Sequence, residues 1–284
     1  MPLTSPSTGV SIAWKVATRP ASLVRRTANR RSVLKQVAID LFVVKIIDDT
    51  TYLDASTEDG QTESDNCSTL CDERYHYVES IEKVEIVPGA WILRDFATMS
   101  AESLLLAIQS VSDRSPFRRV NTPTGKSMSV EMTNCGSYGW ISDRRGYRYE
   151  KTDPTTGIEW PPLPEEFRTI ARTAAQCAGY AEFEPDVCLI NRYEMGSSMG
   201  LHQDRDEQDF TQPIVSVSLG LSIRFRIGGK SRSNKTQAIT LRHGDVMIFG
   251  GPARLAFHGV GKLPNGVHAL TGARRFNLTF RRAF

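Results

Sequence analysis

The hydrophobic rhythm of the chain changes part way along. In two segments, 100–111 and 163–180, apolar positions recur every three to four residues. SAESLLLAIQSV (100–111) reads as a helix opened by Ser100. LPEEFRTIARTAAQCAGY (163–180) reads as a second helix. Pro164 and two glutamates occupy its first turn, Phe167, Ile170, Ala171 and Ala174 fall on one face, and Gly179 stops it. Downstream the period drops to two. Runs at 188–193, 214–219, 223–227, 238–241, 246–249 and 276–280 are short and β-rich, divided by Gly, Pro, Asn or charged turns. From Val84, VEIVPGAWILRDF alternates like one more strand. Short strands after two helices predict an α+β domain whose second half is an antiparallel barrel or jelly roll.

Composition divides the chain. Its 284 residues and 40% hydrophobic content suit one large domain with an extension. Residues 81–284 are expected to be the domain, and 1–80 a disordered extension or linker. The first 39 residues carry seven Lys or Arg and no acid, which fits an organellar transit peptide, a basic tail or an upstream start codon. From Asp40 to Glu73 ten acids face Lys45 alone, and TEDGQTESDNCST is polar and rich in breakers. No apolar run of about 18 residues and no secretory leader is visible. A cytoplasmic location is therefore expected, or an organelle if residues 1–39 are a transit peptide.

Five scattered cysteines read as reduced thiols, and Cys67-x₃-Cys71 lacks the second pair of a zinc site. The net charge of +3 is too small to indicate a nucleic-acid partner; the placement of the basic residues has to decide.

Candidate chemistry begins at LHQDRDE. His202 and Asp204, two apart on an extended segment, project to the same side and can serve one metal. A third ligand must come from elsewhere. His258 follows a strand and turn, His243 precedes a Gly-Asp turn and reads as structural, and His76 and His268 fall in linker or loop. Two histidines and a carboxylate would leave three positions of an octahedral iron open. Near the end, R-x-N-x-T-x-R puts Arg275, Asn277, Thr279 and Arg281 on one strand face and Phe276, Leu278 and Phe280 on the other.

NRYEMGSSMGLHQDRDE, IVSVSLGLSIRFRIGG, HGDVMIFGG, FHGV and RRFNLTFRR, with SPFRRV, MSVEMTNCGSYGW and RRGYRY upstream, together resemble the AlkB family of Fe(II)- and 2-oxoglutarate-dependent dealkylases. The likeness runs from Val84 to Arg282 and is nearest to bacterial members. It implies a double-stranded β-helix (jelly roll) over about 185–284, helices packed on one side, and a nucleotide-recognition lid over about 115–150. It implies His258 as the third metal ligand, with Fe(II), 2-oxoglutarate and O₂ as cofactor and cosubstrates. Arg275 and Tyr193 would hold the distal carboxylate of 2-oxoglutarate, with Asn191, Asn277 and Arg281 nearer the metal.

The implied reaction is oxidative dealkylation of 1-methyladenine- and 3-methylcytosine-type bases in DNA, single-stranded, and in RNA. It yields succinate, CO₂ and formaldehyde. Trp140 and Tyr147 stand where the family places base-contacting aromatics, with Tyr149 nearby; a core role is the alternative for Trp140. Arg144, Arg145, Arg148 and Lys151 around them suit phosphates. Asp206, on the same side as Asp204, would favour cationic lesions. Arg232, in the basic loop GGKSRSNKTQ, and Thr122 with Ser129 are further candidates for strand contacts. A monomer with no membrane partner is expected. The rival readings keep the fold and cofactors but place the activity on an RNA modification, a protein or a lipid, or make the chain a binding module without catalysis.

Overall fold

A computed structural model describes residues 82–284, so the expectations for residues 1–80, including Cys67, Cys71 and His76, lie outside it. The single strand expected from Val84 is a hairpin, β1 (Lys83–Val87) and β2 (Ala90–Leu93). Pro88 and Gly89, whose φ is 84°, turn the chain between them. Helix α1 (Ala101–Arg114) follows Ser100, which caps without a side-chain hydrogen bond, and runs past the expected end because Ser112, Asp113 and Arg114 continue its solvent face. Helix α2 (Glu165–Cys177) has Pro164 at its N-cap rather than inside the first turn.

Four strands lie between α1 and α2: β3 (Arg118–Asn121), β4 (Ser127–Gly136), β5 (Gly139–Asp143) and β6 (Gly146–Glu150). After it come β7 (Val187–Tyr193), β8 (Met199–His202), β9 (Ile214–Gly220) and β10 (Ile223–Ile227). The last are β11 (Gln237–Leu241), β12 (Val246–Phe249), β13 (His258–Val260) and β14 (Arg275–Arg281). One sheet has the order β1-β2-β12-β9-β14-β7-β4-β3, a second the order β11-β10-β13-β8, and β5-β6 stand apart. This is the expected jelly roll, with the helices on the outer face of the larger sheet.

Period-two alternation builds those layers. Val246 and Ile248 of β12 join the helical residues Leu104, Phe167 and Ala171 in one core, while Met247 and Phe249 enter the core between the sheets with Ile214, Phe225 and Ile227. Phe167 meets Phe280 edge to face at 5.8 Å. Each such fully buried side chain contributes roughly 1.5–3 kcal/mol.

Part of the segment expected as a lid, 115–150, lies in the main sheet. β4 pairs with β7 through six residue pairs, so β3 and β4 belong to the main sheet. Buried Val130, Met132 and Cys135 explain this: a strand with that much apolar surface must be covered. Trp140 and Tyr147 of the β5–β6 hairpin line the cavity, and so do Thr122 and residues 126–130 of the β3–β4 segment. The root of the hairpin is fixed by Trp160, whose indole N–H donates to the Glu150 carbonyl at 3.0 Å and whose ring leaves no room for a side chain at Gly139.

Candidate active site

Between the sheets lies a cavity of about 860 Å³ lined by both faces of the roll. β8 and β13 pair so that His202 and His258 are direct partners, with ring centroids 4.5 Å apart. Asp204 follows in the loop after β8. The three residues bring one ligand atom each within 4.8 Å of one another, and among the described residues they are the one group of three or more His, Cys, Asp or Glu that does so.

The ring orientation is fixed by backbone. His202 Nδ1 lies 2.9 Å from the Gly200 carbonyl and His258 Nδ1 3.0 Å from that of Ala256. A carbonyl only accepts, so each Nδ1 carries the proton and each Nε2 keeps its lone pair for a metal. Burial, reinforced by His202 alongside, lowers the His258 pKa to about 4, so the ring is neutral at pH 7. Burial, the largest single influence, opposes ionisation of Asp204, but Arg281 and the two imidazoles together outweigh it and hold the carboxyl well below the usual range.

One wall of the cavity is built by β14 and its neighbours. Arg275, Asn277, Thr279 and Arg281 all line the cavity, as the alternation predicted. Four buried polar atoms among the described residues lack hydrogen-bond partners: Asn191 Oδ1, Arg275 Nε and Nη1, and Arg281 Nη1. Arg275 is 1% exposed, donates Nη2 to Ser218 Oγ at 2.9 Å and lies 5.0 Å from the Tyr193 ring. An uncompensated buried guanidinium carries a penalty of several kcal/mol, which an anionic ligand relieves. A dicarboxylate fits this wall, and two imidazoles with one carboxylate fit iron.

On the opposite side the hairpin supplies aromatics. Trp140 stacks on Tyr147 with centroids 5.5 Å apart, and its indole N–H donates to Asp206 Oδ2 at 2.8 Å. Both rings, Asp206 and Arg232 line the cavity, and Arg232 lies over the Phe257 ring at 5.0 Å. Tyr149 does not join them: its hydroxyl donates to Glu207 Oε1 at 2.5 Å, behind the metal loop. Arg148, expected on phosphates, is held by both oxygens of Asp143 at 2.9 Å and by Glu150. Thr122 and Ser129 reach the cavity rim, where Ser129 donates to the Ser198 carbonyl. His243 is structural, accepting the Gly220 N–H at 3.0 Å, and its ring lies 4.4 Å from that of His268.

Sequence reasoning missed Glu207 and Arg254. They form a buried ion pair at 3.0 Å, and Arg254 also donates to the Asp204 carbonyl at 2.7 Å. No motif marks them; LHQDRDE offers three acids after His202 without saying which is inside.

A jelly roll carrying two histidines, one aspartate and a cationic wall defines an Fe(II)/2-oxoglutarate oxygenase. The family model described as "2OG-Fe(II) oxygenase superfamily" matches residues 89–281. The chain is 52% identical over 198 residues to the alpha-ketoglutarate-dependent dioxygenase AlkB of Salmonella typhimurium, covering 70% of this chain and 92% of that protein. It is 50% identical over 198 residues to AlkB of Escherichia coli strain K12, with the same coverage of 70% and 92%. The solved structure of OsALKBH1 superposes with a TM-score of 0.63 at 30% identity, over 71% of this chain and all of that one. The chain belongs to the AlkB family of 2-oxoglutarate- and Fe(II)-dependent dioxygenases. Its cofactor and cosubstrates are Fe(II), 2-oxoglutarate and O₂. Among the described residues no helix is long and apolar enough to cross a membrane.

Proposed function

We propose that this dioxygenase removes N-linked alkyl groups of the 1-methyladenine and 3-methylcytosine type from DNA, accepted as a single strand. The observation that carries this reading is one cavity lined by the His202–Asp204–His258 group, the Trp140–Tyr147 aromatic pair and the carboxylate of Asp206. More distant relatives are named for demethylating DNA and tRNA, so RNA is a second substrate to test.

In this reading His202, Asp204 and His258 hold the iron, which with 2-oxoglutarate and O₂ supplies oxidation of the alkyl carbon. Arg275 and Tyr193 grip the distal carboxylate of 2-oxoglutarate, and Asn191, Asn277 and Arg281 orient its other end. A base flipped out of its stack enters beside Trp140 and Tyr147. Asp206, one oxygen of which already accepts from Trp140, favours bases that carry a positive charge. Arg232, exposed on the rim, serves the phosphate backbone. The free thiols of Cys135, Cys177 and Cys188 support a reducing, cytoplasmic setting.

Single-stranded oligonucleotides carrying 3-methylcytosine, as DNA and as RNA, test the proposal with Fe(II), ascorbate and 2-oxoglutarate. Succinate and formaldehyde should form in equal amounts while the base is restored. No formaldehyde from either oligonucleotide would remove the repair reading.

A further inference from the structure

Arg281 grips Asp204 in an unusual way. Arginine and a carboxylate ordinarily pair as two forks, each oxygen taking one N–H. Here Nε and Nη2 both go to the same oxygen, Oδ2, at 3.2 and 2.7 Å. The other oxygen, Oδ1, lies 3.6 Å from His202 Nε2, while Oδ2 itself lies 3.9 Å from His258 Nε2. Something prevents the two-oxygen fork.

Glu207 is in position to do so. Its Oε1 lies 3.3 Å from Arg281 Nε, and its side chain is 1% exposed. The same oxygen accepts the Tyr149 hydroxyl, and Oε2 accepts Arg254 Nη2 at 3.0 Å. Arg254 in turn fixes the Asp204 carbonyl at 2.7 Å and that of Gln212 at 2.9 Å. Two carboxylates and two guanidiniums thus alternate in a nearly water-free cluster drawn from the metal loop, the turn before β13, and β14, with the hairpin adding the Tyr149 hydroxyl. In such surroundings a buried charge stays where its partners hold it.

We propose that Glu207 is a positioning residue for the metal carboxylate. By drawing on Arg281 Nε it keeps that guanidinium on Oδ2 alone and leaves Oδ1 of Asp204 for the metal. The proposal rests on the metal-site reading above. Loss of the Glu207 charge lets Arg281 swing into a full fork with Asp204, which then competes with the metal for both oxygens.

Cobalt(II) titration of the metal-free full-length protein, followed by ligand-field absorption and calorimetry, tests this without turnover. Glu207→Gln keeps the shape and an acceptor oxygen but removes the charge. It should weaken Co(II) binding by about tenfold to a hundredfold, the range typical of residues supporting metal ligands. In an Arg281→Lys background, where no fork can form, the same change should have less than a twofold effect. Tyr149→Phe gives a contrary expectation. It leaves Oε1 to Arg281 alone, so affinity should stay within twofold of the parent or rise. A merely structural role would lower the melting temperature of Glu207→Gln while leaving the Co(II) affinity of the folded protein unchanged. That result, an equal loss in both Arg281 backgrounds, or a tenfold loss in Tyr149→Phe would overturn the proposal. Failure of the metal site itself looks different: Co(II) would bind the parent and His202→Ala proteins alike.

Discussion

His202 and His258 are direct register partners across β8 and β13, with their rings 4.5 Å apart by centroid. The pairing depends on the residue next door. A Cβ on Gly259 would lie 2.7 Å from the carbonyl oxygens of both Met199 and Gly200, closer than such atoms ever come. Gly259→Ala must push the two strands apart and separate the two imidazoles. Co(II) affinity should fall by at least tenfold, on the order of what loss of supporting contacts does to metal sites. Circular dichroism should remain that of a folded jelly roll. Unchanged affinity would show that the strand pair adapts and that the register is not what sets the site.

Arg275 gives a prediction with two signs. Two of its nitrogens are buried without partners, which costs the ligand-free protein stability. Arg275→Met should weaken 2-oxoglutarate binding to the Co(II)-loaded protein by a hundredfold or more. The ligand-free variant should unfold at a higher temperature, with a gain of about 1–3 kcal/mol, since apolar replacement of a buried charge is often stabilising. A lower melting temperature would mean that Ser218 and Tyr193 satisfy Arg275 unaided.

Asp206→Asn separates charge from hydrogen bonding. Asparagine still offers the Trp140 indole an oxygen where Asp206 accepts it at 2.8 Å, but carries no charge. Co(II) and 2-oxoglutarate affinities should be unchanged. The ratio of kcat/KM for a cationic lesion to that for a neutral one should fall about tenfold, the consequence of losing one partly screened charge contact. Equal losses on both lesions would assign Asp206 to shape rather than charge.

Ligand linkage gives a measurement of the whole site. Ligand at 100 times its Kd stabilises the folded state by about 2.7 kcal/mol, or roughly 5–10 °C for a domain of this size. Co(II) with 2-oxoglutarate should produce such a shift in the parent and none in Asp204→Ala. The variant remains folded because Arg281 keeps Glu207 as a partner at 3.3 Å. A full shift in Asp204→Ala would remove it from the metal site.

Much of this was legible in the chain. The six strands read from period two at 188–280 are present with ends shifted by a residue at most, and both helices are found. Alternation told which of residues 275–281 face the cavity, because successive side chains on a strand must point to opposite sides. The hairpin at Pro88–Gly89 was missed, since two short strands with one amphipathic pattern read as one long strand. That β4 belongs to the main sheet was not legible, because it looks like any alternating strand until its partner β7 is known.

By itself the sequence determined which residue types stand two apart on each strand, and with them a mixed α and β domain and the pair His202–Asp204. Only the tertiary structure decided what that pair meets. It put His258 rather than His243 opposite His202, sent Tyr149 behind the metal loop instead of into the cavity, and buried Glu207 between Arg254 and Arg281. The physical reason is range. Local periodicity is set by backbone geometry a few residues long, whereas register between distant strands and the pairing of buried charges depend on which surfaces the whole chain can close together.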